Sequence, residues 1–135
     1  MGRTHDDLER YVFASHIPSE QVADGTWVLR DPSWGGAQIV VHAEAPLVVF
    51  RAKLCDVRAD LPVVQKLGLY QHLLHLNATE MLQGAYALEG AAVIAVEVMQ
   101  MENLDQNEFL AAIDSLSLAL TSHGPAIARF LGTQA

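Results

Sequence analysis

The residues of this chain that could do chemistry are few and scattered. His72 and His75 lie three apart in a stretch that reads as helix, a spacing that lets two imidazoles share a metal on one face. No Cys, Asp or Glu in the local sequence completes a ligand set, and helical projection puts both rings opposite the stripe assigned to the core, so the pair reads as solvated histidines. Cys55, beside Asp56, could pair with a histidine as a nucleophile. It closes a strand-like run without the glycine-rich neighbour that an oxyanion hole would need. Glu97 interrupts an apolar run and could be an acid with a shifted pKa, but no second carboxylate stands at a fixed spacing to work with it. Gly35-Gly36 lacks the pattern that follows a phosphate loop and reads as a tight connection. These residues predict no catalytic group, no metal and no cofactor.

Residues suited to binding are easier to find. Arg51 and Lys53 share one face of a strand, where they can meet an acidic segment or pair across the sheet with a facing Glu. Trp27, Trp34, Tyr11 and Phe13 are of types that carry interface energy. Trp27 fits a core position as well as an interface. Trp34, set between Ser33 and Gly35 in a loop, is expected to be exposed.

The elements that must position these residues follow from periodicity and punctuation. A helix is predicted from about Thr4 to His16, capped by Thr4, favoured by Asp6 and Asp7 and stopped by Pro18, with Leu8, Tyr11, Val12 and Phe13 as a broad apolar stripe. Three strand-like runs follow at Gly25–Arg30, Ala37–His42 and Leu47–Cys55. The last alternates Val48, Phe50, Ala52 and Leu54 against Leu47, Val49, Arg51 and Lys53. A second helix opens at Asp60-Leu61-Pro62 and runs to about Asn77. Val63, Leu67, Tyr70 and Leu74 form its expected core stripe, and Leu69, Leu73 and Leu76 form a second stripe that needs another neighbour. Ala85–Leu88 and Ala92–Met101 read as a hairpin about Glu89-Gly90, with the second strand apolar on both faces and both faces covered. A last helix starts at Asp105 with Glu108 as its capping-box partner and Leu104 against Phe109 as a staple. Its core face is Phe109, Ile113, Leu116 and Leu120; Gly124-Pro125 ends or kinks it, and Ala126–Leu131 adds a turn before a polar tail.

Composition bounds the rest. The chain has 135 residues, 51% of them hydrophobic and 18% charged, a size and balance suited to one domain with one core, here residues 1–135. The net charge of -8 repels nucleic-acid phosphate and anionic membranes. Residues 67–135 hold seven acidic side chains and one basic, Arg129, so the acidity is concentrated there and a basic partner suits the whole better than an acidic one. A single cysteine excludes an internal disulfide, the start is polar, and no run approaches the roughly 18 apolar residues of a membrane span, so the expected location is cytoplasmic.

Leu73-Leu74-His75-Leu76-Asn77, then Gly84-Ala85-Tyr86-Ala87-Leu88-Glu89-Gly90 with its hydrophobic strand, then the acidic-capped helix from Leu104 to Leu116, resemble the type III secretion (Tir-type) chaperones and the YbjN-like proteins related to them. The matching features are a leucine-leucine-x-x-asparagine helix end and a glycine-bearing hairpin. The resemblance implies an α+β fold of order α-βββ-α-ββ-α, an antiparallel sheet with helices packed on one face. It also implies a homodimer that binds a segment of another protein rather than turning over a substrate. On that reading Tyr11, Phe13, Trp27, Trp34, Arg51 and Lys53 are the partner-binding candidates, and Leu69, Leu73 and Leu76 are assigned to the dimer contact. The alternative is a regulatory or sensory module with a small ligand in a pocket lined by Tyr70, Met81, Tyr86 and Met99.

Overall fold

Thr4 closes a capping box at the start of the first helix: its side chain accepts from the Asp7 amide while the Asp7 carboxylate accepts from the Thr4 amide. This starts α1 (His5–Ala14), which ends two residues short of the predicted limit. A computed structural model describes residues 4–81 and 83–131 and gives the order α1, β1 (Ser19–Ala23), β2 (Thr26–Arg30), β3 (Gln38–Glu44), β4 (Leu47–Asp56), α2 (Val63–Thr79), β5 (Ala85–Glu89), β6 (Ala92–Gln100), α3 (Gln106–Leu118) and α4 (Gly124–Phe130). A 3-10 turn, Pro32–Trp34, precedes β3, and a π-helical turn, Ala119–His123, joins α3 to α4. The polar tail predicted beyond Leu131 lies outside the described residues.

The six strands form one antiparallel sheet in the order β1-β2-β3-β4-β6-β5. The predicted plan therefore holds, with one strand added at the edge. β1 escapes sequence reading because Ser19-Glu20-Gln21 shows no apolar alternation, and most of the strand is exposed. Every second residue of the inner strands points to the core: Trp27 and Leu29, Ile39 and Val41, Val48, Phe50 and Ala52, Val93 and Ala95. The same cluster takes in Leu8 and Val12 of α1, Leu69, Leu73 and Leu76 of α2, Phe109, Ile113 and Leu116 of α3, and Ile127 of α4, so the helices share one face of the sheet. Among the described residues the opposite face has no helix. Val28 and Ile94 are buried on it without joining the core, while Val98 is 46% exposed, which corrects the expectation that β6 is covered on both sides.

On α2 the two predicted stripes exchange roles. Leu69, Leu73 and Leu76 are buried in the protomer, whereas Val63, Leu67 and Leu74 are 79%, 56% and 68% exposed. Both stripes are apolar, so the helix alone does not say which side faces inward. The chain end decides it. Phe130 of α4 packs across Gly68, where a methyl group would come within 3.2 Å of its ring, and lies 5.1 Å from the His72 ring. That contact leaves His75 exposed but half-buries His72, correcting the expectation that both histidines are solvated.

The asparagine of the leucine-rich motif has a defined job at the end of α2. Its side-chain oxygen accepts from the Tyr86 amide at 2.6 Å, and its side-chain nitrogen donates to the Tyr86 carbonyl at 3.1 Å. One side chain thereby satisfies both main-chain groups of a strand residue and ties the helix to β5. The other side of that strand is held by the predicted hairpin, with Glu89 opposite Ala92. Asp105 caps α3 as expected, accepting from the Glu108 amide at 2.8 Å while Glu108 accepts from the Asp105 amide at 3.2 Å.

Tyr86 also reaches into the helical layer, where its hydroxyl and Nδ1 of His123 share a hydrogen bond of 2.6 Å. Burial pushes the tyrosine far above its ordinary value, so it keeps its proton. Burial lowers the His123 value below the usual 6.5; the nearby Glu80 carboxylate opposes this and His72 adds to it. The folded chain therefore prefers His123 neutral. As the pH falls below about 6.5 the unfolded chain takes up this proton first, and the fold loses stability until His123 itself titrates. The melting temperature is expected to drop between about pH 7 and pH 5, and to drop less steeply in a His123→Leu variant. Parallel profiles for the two proteins would remove His123 as the cause.

Candidate binding cleft

The register of the sheet opens a cleft. β4 pairs with β3 only as far as Ala52 opposite Ile39, yet with β6 it continues to Asp56 opposite Ala92. A bulge between Lys53 and Cys55 shifts this last stretch of β4 out of strict alternation, so that Leu54 and Cys55 both pack against the core. The end of β4 thus forms the floor of a cleft of about 1050 Å³. One wall is Trp34, Gly35, Gly36, Ala37 and Gln38; the other is Leu120 and Thr121 of the π turn with Gly124, Pro125 and Ala128 of α4.

Trp34 was expected to be exposed in its loop, and it is only 5% exposed. Asp31 accepts from the Ser33 amide and hydroxyl at 2.9 and 2.8 Å, which winds Pro32–Trp34 into a turn. Gly35 and Gly36 follow with φ of 62° and 89°, values that glycine adopts without strain. The indole lies against α3, where its Nε1–H donates to Ser117 Oγ at 2.9 Å. Loop composition alone does not reveal such an acceptor 83 residues away.

Arg51 and Lys53 also line the cleft. They point to the helix-free face and are already paired, Arg51 with Glu89 of the edge strand and Lys53 Nζ with Asp56 at 2.7 Å. The other binding candidates are not brought here. Trp27 is buried in the core, and Tyr11 is buried with its hydroxyl donating to the Leu104 carbonyl at 3.3 Å and its ring 5.5 Å from Phe109. Neither is therefore available on the surface to a partner. Phe13 is 62% exposed. Leu69, Leu73 and Leu76, assigned to a dimer contact, have no surface to offer a second copy because the protomer itself covers them.

Burial raises the Cys55 thiol above its ordinary value, the Asp56 carboxylate raises it further, and Lys53 only partly opposes them, so the thiol stays protonated at neutral pH. Glu97 is half-buried, and its Oε1 accepts from the Val98 amide at 2.9 Å. Among the described residues no three His, Cys, Asp or Glu side chains converge to hold a metal ion, and no helix is long and apolar enough to cross a membrane. Tyr70, Met81 and Met99, expected around a small-ligand pocket, pack against the core, and Tyr86 is engaged by Asn77 and His123. Sequence reading missed Leu120, Thr121, Pro125 and Ala128 as cleft residues. Gly124-Pro125 was their only signal, and it reads equally well as a helix terminator.

The family model CesT_Tir_1 matches residues 1–132. The chain belongs to this type III chaperone family. No curated protein matches its sequence. Three solved structures share the fold of this family member at low identity. A chain of the heterodimeric ExoU-SpcU complex, from the type III secretion system of Pseudomonas aeruginosa, is 16% identical over 92% of this chain and 97% of its own, with a TM-score of 0.63. YbjN from E. coli is 12% identical over 92% of this chain and 93% of its own, with a TM-score of 0.65. A chain of the HopA1-SchA chaperone-effector complex is 11% identical over 85% of this chain and 88% of its own, with a TM-score of 0.59. At these identities the likeness is one of fold.

Proposed function

We propose that this protein is a non-enzymatic, chaperone-like adaptor of the cytoplasm, a single domain that works as a homodimer and binds a segment of another protein. The observation that carries this reading is the open cleft beside β4, wide enough for a polypeptide segment and lined by apolar surface, two cations and a thiol held in its unreactive form. Membership of a chaperone family, and the chaperone-effector complexes among the similar structures, support it. Affinity capture of the intact chain from its source cells, after cross-linking, is expected to recover one protein in fixed stoichiometry. Recovery of the chain alone would overturn the adaptor reading.

For self-association the outer stripe of α2 replaces the residues first assigned. Val63, Val64, Leu67 and Leu74 are all more than half exposed on one helix, the arrangement of an apolar face that awaits a second copy. Light scattering at micromolar concentration is expected to give twice the protomer mass, falling to one protomer in a Leu67→Glu, Leu74→Glu variant. These side chains already face solvent, so the change leaves the core intact. A monomeric wild type would reject the dimer.

A further inference from the structure

We propose that the cleft beside β4 receives an extended, mostly aliphatic segment of the partner carrying a single carboxylate, which is set against Arg51 and Lys53. This rests on the adaptor reading and gives its ligand a chemistry. In a chain of net charge -8, these two cations are the only ionised side chains among the described residues that line the cleft. Their present partners, Glu89 and Asp56, are more than half exposed, and ion pairs so open to water are weak. An arriving carboxylate can therefore exchange with them at little cost. A run of acidic residues is disfavoured, because the surplus negative charge of the protein acts out to about 8–10 Å in ordinary salt while the two cations act locally.

The backbone geometry points to an extended ligand. Past Ala52, β4 has a strand neighbour in β6 but none in β3, so a segment laid along Lys53 to Asp56 lies where a neighbouring strand would. The walls leave room for it: a Cβ built on Gly35, Gly36 or Gly124 would meet nothing within 4 Å. The remaining surface, from Leu54, Leu120 and Pro125, is aliphatic and suits side chains of the same kind.

The probe is a blocked heptapeptide alternating valine and threonine around a central glutamate, titrated into the intact 15N-labelled protein. The amides of Gly35, Gly36, Lys53, Cys55 and Gly124 are expected to shift, with affinity at least about tenfold above that of the same peptide with central lysine. Ala128→Leu, which fills the cleft from a helical position, should weaken binding about tenfold or more while leaving the spectrum dispersed. Arg51→Gln with Lys53→Gln should erase the preference for glutamate over lysine. Equal binding of the two peptides, shifts confined to Phe13 and Val22 or to the outer face of α2, or no shifts at all would each overturn the proposal. Octanoate that reproduces the shifts and displaces the peptide would reassign the cleft to a small amphiphilic carboxylate. If the captured partner binds Ala128→Leu as tightly as wild type, the cleft assignment fails and the adaptor reading stands. If no partner is captured although the peptide binds, the reverse holds.

Discussion

Phe109→Ala is expected to lower the stability of the fold by about 3–5 kcal/mol, the loss typical of a large ring removed from a close-packed core. Phe109 is fully buried at the first turn of α3, with its ring 5.0 Å from Phe50 at the centre of the sheet and 5.5 Å from Tyr11 of α1. Among the described residues it is the one side chain in ring contact with both the first helix and the sheet, so truncation leaves a void that neither partner can fill without moving a whole element. Urea unfolding should show a lower midpoint at unchanged slope. Phe13→Ala, at a position 62% exposed, is the control and should change stability by less than about 0.5 kcal/mol. Similar losses in the two variants would show that the contact among the three rings is not the keystone of the core.

Gly84→Val should be at least as damaging, for a backbone reason. Gly84 has φ of 77°, a region that costs an L-residue about 1–2 kcal/mol and a β-branched residue more. A Cβ there would also stand 2.6 Å from the Val96 carbonyl oxygen, a backbone atom fixed in the β5–β6 ladder. The strain and the forced retreat of β5 from β6 together are expected to cost about 3 kcal/mol or more. The retreat would also disturb the Asn77–Tyr86 contact, two residues beyond. Amide exchange should show lost protection through β5 and the end of α2 before the rest of the sheet. Uniform loss across the sheet would instead mean that the hairpin and the core fail as one unit.

Much of this architecture is legible in the sequence where a rule is local. The Thr4 and Asp105 caps and the alternation of Val48, Phe50 and Ala52 depend on residues within a turn or a strand of one another, and all are found as expected. What escaped depends on distant partners. α2 carries two apolar stripes of similar quality, and Phe130, more than fifty residues away, selects which one is inward. Trp34 is withdrawn from solvent by Ser117 on α3, an acceptor that its neighbours do not announce. Arg51 and Lys53 were recognisable as a pair on one strand face. Their cleft was not, because its walls come from a glycine turn and from α4, which only the tertiary fold brings together.

The carboxamide of Asn77 has a consequence for assembly. β5 is one border of the sheet, and its amide and carbonyl at Tyr86 are among the groups through which a foreign strand would dock. Asn77 occupies both, so the protein itself covers this part of the border. The other border is β1, polar and exposed. Addition of a strand along β5 would therefore have to break the two Asn77 hydrogen bonds first, a cost that a bare sheet edge does not impose. One border of the sheet is thereby made a poorer template for pairing with another copy.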